Sequence, residues 1–328
     1  MPAPSLPRRC RLCRGETLIP DVAEPISIAI TTRNRPESLR RCVASLALLG
    51  DLVGEILIGD DLSEMPADRQ IAGQVSSALA PLITVLRAAE KRGYIINRNS
   101  MVQSARFPFV LLLDDDTCIL DRQAVAGAVR VMAASGRVAA VAFAQADGAG
   151  APWPAGMQPS PVGYPCYVPS FIGFAHLLRR DVFLQLGGYR GTFEFYGEEK
   201  EYCLRLLDAG FDVVYLPEAR IAHVPDGAGR HSRTYVRYVS RNDCLGSLYN
   251  DPWWRLLWML PARVALYLRM RRAWRIADPG GLRWLLHEIG RNWPEIRRAR
   301  RPVRSATFRR WRALRRQAPP YPASTAAA

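Results

Sequence analysis

Three consecutive carboxylates, Asp114, Asp115 and Asp116, follow directly on the apolar run at residues 109–113. Such a run reads as a strand buried on both faces, and in open α/β sheets chemistry gathers at the carboxyl ends of strands. Three adjacent acids repel one another and are costly at a sheet rim without a cation. Side chains alternate on an extended backbone, so Asp114 and Asp116 point the same way. Two carboxylates on one side, completed by water or phosphate, suit a hard divalent ion such as magnesium or manganese. The competing reading is an acidic solvated turn after a core strand. A second acidic group, Glu198, Glu199 and Glu201, opens a helix with an apolar inner face. Acids in a first turn also suit the helix dipole, so capping rivals chemistry there.

The elements that must carry these residues alternate. Strands are expected at 26–31, 55–61, 83–86, 109–113 and 138–144, with helices from 34, around 96–105 and over 122–135. Strand–helix repetition of this kind predicts a parallel, doubly wound sheet. Polar residues then collect at three carboxyl strand ends: Thr31, Thr32 and Arg33; Asp60 and Asp61; and the three central acids. Residues 147–170 are rich in Gly and Pro and read as a long loop, either a binding element or an insertion. Further strands are expected at 172–178, 213–216 and 220–224, the last carrying His223, with helices at 181–186 and from 198.

These motifs resemble, in order, those of inverting family-2 glycosyltransferases with the GT-A fold. Residues 27–35 resemble the family's first strand and nucleotide-contacting turn, and 55–63 its second strand with an Asp-Asp-x-Ser ending. Gly93 through Arg98-Asn99 resembles the segment whose arginine faces base and ribose. Residues 113–116 are similar to the metal-binding DxD motif. Gly187-Gly188-Tyr189 followed by Gly197-Glu198-Glu199 resembles the acceptor-site stretch, with Glu199 where the family usually has Asp. Residues 215–219, then His223, resemble the closing strand pair, and Arg233, Arg237, Arg241 and Asn242 resemble a segment of bacterial enzymes that build lipid-linked or surface polysaccharides. The resemblance covers about residues 26–225. It implies a nucleotide-diphospho-sugar transferase with a Rossmann-like, mainly parallel sheet. The catalytic pair would be Glu199, as general base, and Glu198. The nucleotide sugar would meet Thr31, Thr32, Arg33, Asp60, Asp61, Arg98, Asp114 and Asp115. Mg2+ or Mn2+ would sit on Asp114, Asp116 and His223. An Asp accepting the imide hydrogen of a uracil or thymine ring points to a UDP or dTDP sugar. The acceptor would be a glycan or a lipid-linked hydroxyl. A sugar nucleotidyltransferase, or a non-catalytic nucleotide-sugar or nucleic-acid binding protein, is the alternative.

Charge divides the chain. Of a net charge of +15 over 328 residues, +14 falls within residues 251–316, which hold 18 arginines against four acids. Seven tryptophans stand among those arginines, and tryptophan with arginine on amphipathic helices is how proteins lie on an anionic membrane. Nucleic acid is the weaker alternative, and a helical cap with a solvated basic face is another. The expected organisation is a flexible arm over 1–24, a catalytic domain over 25–225, a basic Trp/Arg-rich helical extension over 226–316 and a disordered tail over 317–328. Seven scattered cysteines, with no secretory signal ahead of them, point to reduced thiols and a cytoplasmic protein, peripheral on the inner face of the plasma membrane. Cys10 and Cys13 have metal-ligand spacing but lack a second pair.

Overall fold

The computed structural model describes residues 24–225 and 232–322. The expected arm and its Cys10 and Cys13 lie outside the described residues, Glu24 excepted. Along the chain run β1 (Ile26–Thr32), α1 (Pro36–Ser45), β2 (Val53–Asp60), α2 (Ala67–Ile71), β3 (Ile83–Arg87), α3 (Tyr94–Ser104), β4 (Phe109–Asp114), β5 (Thr117–Ile119), α4 (Arg122–Ala134) and β6 (Val138–Ala146). Then come β7 (Cys166–Tyr167), β8 (Ala175–Arg179), α5 (Arg180–Gln185), α6 (Glu198–Asp208) and β9 (Asp212–His223). Five helices follow: α7 (Arg233–Asn250), α8 (Trp253–Ala273), α9 (Gly281–Arg291), α10 (Trp293–Ala299) and α11 (Ser305–Gln317).

The central strands are apolar on both sides because helices cover both faces. Alternate residues of β4 serve opposite layers. Leu111 and Leu113 pack with Leu39 and Val43 of α1 and Val125 and Val129 of α4. Val110 and Leu112 pack with Met101 of α3, Val182 of α5 and Leu206 of α6. Each such side chain removed from water contributes about 2 kcal/mol.

The strand order is β3-β2-β1-β4-β8-β6-β9-β5, with β7 on β9. β3, β2, β1 and β4 are parallel, as the alternation of strands and helices requires. β8 then runs antiparallel between β4 and β6. The reversal matters to the site. The long loop after β6 crosses the carboxyl edge of the sheet and enters β8 from that edge, so Gly173 and Phe174 meet the end of β4: the Asp114 amide donates to the Phe174 carbonyl at 2.8 Å. The two extended stretches expected near the end of the domain are one strand, β9, with a register shift against β6 between Phe143 and Ala144. Pro217 lies in this stretch and brings no N–H to the ladder. β9 ends with His223 opposite Thr117, beside the three acids.

The basic extension packs back onto the α/β body in part. Arg304 and Thr307 bond Asp208 at the end of α6, and Arg310 pairs with Asp212. Of the tail expected to be disordered over 317–328, the described residues to Pro322 pack on the body: Cys166 forms a β-bridge with Pro320, and Tyr321, 5% exposed, packs edge-on against Tyr167. An aromatic anchor and a strand edge that needs pairing explain that packing. Among the described residues no helix is long and apolar enough to cross a membrane, and the five cysteines are free.

Candidate active site

The sharp turn after β4 splits the three acids between two tasks. Asp115 is nearly buried, and its oxygens accept from Thr32 Oγ1 at 2.7 Å and Arg35 Nη1 at 2.6 Å. Asp114 and Asp116 come together with His223, and one ligand atom from each lies within 4.8 Å of the others. Asp116 Oδ2 accepts from Arg35 Nη2 at 3.0 Å, whereas its buried Oδ1 has no hydrogen-bond partner among the described residues and stands 3.6 Å from His223 Nε2. The imidazole is oriented from behind. Gln145 Nε2 donates to the Met157 carbonyl, so Gln145 Oε1 faces His223 and accepts from its Nδ1 at 2.7 Å. That bond fixes the tautomer with the Nε2 lone pair toward Asp116, as metal-binding histidines require. Phe174 and Trp153 stack on the ring, at 5.0 and 5.2 Å between centroids. Trp153 comes from the long loop, which therefore helps to build the site. An orphaned carboxylate oxygen, a second carboxylate and an aimed imidazole fit a divalent cation.

Arg98 joins this end of the cleft to the other. It is 1% exposed, donates to Asp114 Oδ1 at 2.6 Å, to the Gly173 carbonyl at 2.7 Å and to Glu198 Oε1 at 3.0 Å. Burial would lower its pKa, but Asp114 and Glu198 raise it and keep it charged. Burial, against the pull of Arg98, raises Asp114 to about 7, with Asp116, Asp115 and Glu199 adding to the rise. The side chain still shows 35% of its surface to the cleft. Burial and Glu199 likewise push Glu198 up to about 8. Among the described residues, the guanidiniums of Arg35 and Arg98 pair with Asp114, Asp115, Asp116 and Glu198, Glu199 stands beside them, and an added cation would relieve the negative charge gathered here.

Glu198 and Glu199 open α6 behind an unusual turn. Glu194, Tyr196 and Gly197 all have positive φ, at 58°, 67° and 86°. Two of these are not glycine, so the surrounding structure must hold the strain. It does so from α7: Asn242 Nδ2 lies 2.7–2.8 Å from the carbonyls of Phe193, Phe195 and Tyr196, and the fully buried Arg241 bonds the Phe193 carbonyl and Glu194. From α3, the Tyr94 hydroxyl accepts from the Tyr196 amide and donates to Glu198 Oε2. Glu199 is half-buried against Gly173, where an added Cβ would collide with its Oε1. Glycine at 173 therefore makes room for the carboxylate. On the same helix Glu201 anchors to Arg190, Arg205 and Asn250; burial would raise its pKa, but the two arginines hold it at about 2.

Several residues expected to touch a nucleotide also have partners within the protein. Asp60 is fully buried and accepts from the Ser63 and Ala67 amides and from Arg87, because the turn after β2 needs its donors satisfied. Thr32 and Asp115 bond each other. Arg98 faces two carboxylates in the interior. Asp61 accepts from the Arg92 and Gly93 amides and shapes the approach to α3. Thr31, in register with Asp114, and the exposed Arg33 stay at the rim. Arg35, Gln145, Trp153, Tyr94 and Gly173 were not singled out from the sequence. For Arg35 the available signal was its position in the Arg-x-Arg after β1.

The fold is shared with solved glycosyltransferases. GalNAc-T7 with UDP, GalNAc and Mn2+ matches with a TM-score of 0.57 and 16% identity, over 84% of this chain and 58% of that one. The mannosyltransferase PcManGT from Pyrobaculum calidifontis, in complex with GDP-Man and Mn2+, matches with a TM-score of 0.56 and 14% identity, over 89% and 84%. TarS 1–349 from S. aureus gives 0.55 and 14%, over 79% and 77%. The chain thus spans less than two thirds of the GalNAc-T7 chain, and at these identities the likeness is one of fold, the GT-A fold. No curated protein sequence matches. The sequence model of Glycosyl transferase family 2, however, matches residues 27–192, just over half of the chain and the part that holds the three acids, and the chain belongs to that family.

Proposed function

We propose that the protein transfers a sugar, with inversion, from a nucleotide diphosphate sugar to a hydroxyl of a glycan or lipid-linked acceptor, in a metal-dependent reaction at an anionic membrane surface on the cytoplasmic side. The observation that carries this reading is the Asp114–Asp116–His223 cluster, with its orphaned Asp116 Oδ1, tied through Arg98 to the carboxylate pair on α6. A divalent cation held there supplies the positive charge that a departing diphosphate needs. An imidazole beside two carboxylates favours manganese over magnesium. Arg35 holds Asp116 in place, and Gln145 keeps the His223 proton on Nδ1. Glu199 takes the proton of the attacking hydroxyl, while Glu198, bound by Arg98 and Tyr94, fixes the start of the helix. Thr31, Arg33 and Asp61 line the approach for base and ribose. A UDP or dTDP donor remains the first choice; the solved neighbours were crystallised with UDP or GDP-Man, each with Mn2+, which supports a nucleotide-sugar donor in general.

The test is a panel of nucleotide sugars with Mn2+, read by nucleoside diphosphate release and by the anomeric configuration of the product. Release that stops on chelation and returns with Mn2+, with an inverted product, is expected. Turnover undisturbed by exhaustive chelation refutes the metal role.

A further inference from the structure

The outward face of α8 is apolar for most of its length. Trp253, Trp254, Leu257 and Trp258 are 63, 53, 74 and 55% exposed. Pro261, Ala262, Ala265 and Leu268 continue the same exposed face. At 100° per residue these eight side chains fall on one half of the helix, along about 22 Å of its axis. The stripe then passes into Arg269 and Arg272, also exposed. The inner side is buried at Leu256, which packs in one cluster with residues of the α/β body, and at Tyr267, whose hydroxyl bonds Asp278. Soluble surfaces rarely leave a patch of this size bare, least of all one built of tryptophan.

We infer that this stripe is a docking face for an anionic phospholipid bilayer, with the tryptophans and Leu257 seated at the headgroup boundary and Arg269 and Arg272 on lipid phosphates. The inference rests on the membrane part of the reading above and names the residues that make the contact. Charge decides the occupant. Residues 253–273 contain five arginines and no acid. Two copies related by a two-fold axis would set apolar end against basic end, or arginine against arginine, whereas an anionic bilayer satisfies both ends of the stripe at once. The face is also tied to the acceptor side of the cleft. α8 leads from α7, which supplies Asn242 and Arg241 to the strained turn before Glu198, and Tyr267 of α8 and Arg237 of α7 share Asp278.

The experiment is sedimentation of the full chain with vesicles of phosphatidylcholine alone or with 30% phosphatidylglycerol, in low and high salt. The comparison is the triple variant Trp254→Gln, Leu257→Gln, Trp258→Gln. The wild type is expected to bind the anionic vesicles at least tenfold better than the neutral ones and to be released by salt. The triple variant should lose at least tenfold in affinity with melting temperature and Mn2+-dependent nucleotide binding unchanged. Leu257→Glu, at the most exposed position, gives the same reading should the triple variant not fold. Undiminished binding by these variants overturns the stripe while leaving membrane association intact. Failure of the wild type to bind overturns both, and leaves the transfer chemistry untouched. A wild-type dimer in solution that the variants dissociate assigns the face to a second copy and also overturns the inference.

Discussion

The two banks of the cleft are built in different ways. The metal bank is assembled from strand ends that the sheet itself brings together: Asp114 at the end of β4, Asp116 two residues on, and His223 at the end of β9, paired across β5. The bank that carries Glu198 and Glu199 stands on a turn with three positive-φ residues, held from α7 and α3 by Asn242, Arg241 and Tyr94. One side is fixed by ladder hydrogen bonds of the core. The other depends on side-chain clamps, two of them from an extension outside the α/β body. Changes far from the reacting atoms should therefore injure proton removal while sparing donor binding.

The largest expected effect separates the banks directly. Glu199→Gln should lower transfer about 10²–10⁴-fold while Mn2+-dependent nucleotide binding, followed by thermal shift, stays as in the wild type. Full activity in this variant would reject Glu199 as the base. Next, Glu201→Gln removes the shared partner of Arg190 and Arg205 and should cost about 3 kcal/mol in denaturant unfolding. The sign of the pH dependence follows: Glu201 in the folded protein titrates at about 2, below its ordinary 4.5, so its contribution is complete above pH 4.5 and is lost as pH falls toward 2. Acid should loosen α6 before the β4 end, which amide hydrogen exchange can follow. Asn242→Ala releases the strained turn and should slow transfer about 10²-fold through misplacement of Glu199, with affinity for Mn2+ unchanged. An equal loss of Mn2+ affinity would show that the two banks are not separable. The smallest effect is on the metal side. Asp114 rises to about 7 in the metal-free protein, so a cation must displace its proton below that pH. Calorimetric affinity for Mn2+ should fall at least tenfold per pH unit below 7, because a proton on His223 Nε2 competes as well, and level off at higher pH.

The same contrast explains what could be read from the sequence. The α/β alternation and the acids of the metal bank were legible because each is written in a few adjacent residues: an apolar run, then carboxylates at period two. The partners that decide what those acids do were not. Arg35 reaches Asp115 across 80 residues and Gln145 reaches His223 across 78, and no local pattern reports such pairings. Asp60 and Arg98 illustrate the cost. The resemblance marked both as nucleotide contacts, and burial also makes Asp60 the anchor of a turn and Arg98 the cation between Asp114 and Glu198. The antiparallel entry of β8, which seats Gly173 beneath Glu199, also escaped the simple alternation. In the extension, composition gave the charge and the tryptophans, but only packing divides them. Arg241, Arg304 and Arg310 bind the α/β body and Arg237 pairs with Asp278 within the extension, whereas the α8 stripe faces outward.

If the proposed chemistry holds, a cation on Asp114, Asp116 and His223 is what retains a nucleoside diphosphate in this cleft. Calorimetric titration of UDP, dTDP and GDP into the wild type and into Asp116→Asn, with Mn2+ and with EDTA, tests it most directly. At least one of the three should bind the wild type only with Mn2+, and bind Asp116→Asn at least a hundredfold more weakly. Equal binding in EDTA, or undiminished binding to Asp116→Asn, would contradict it.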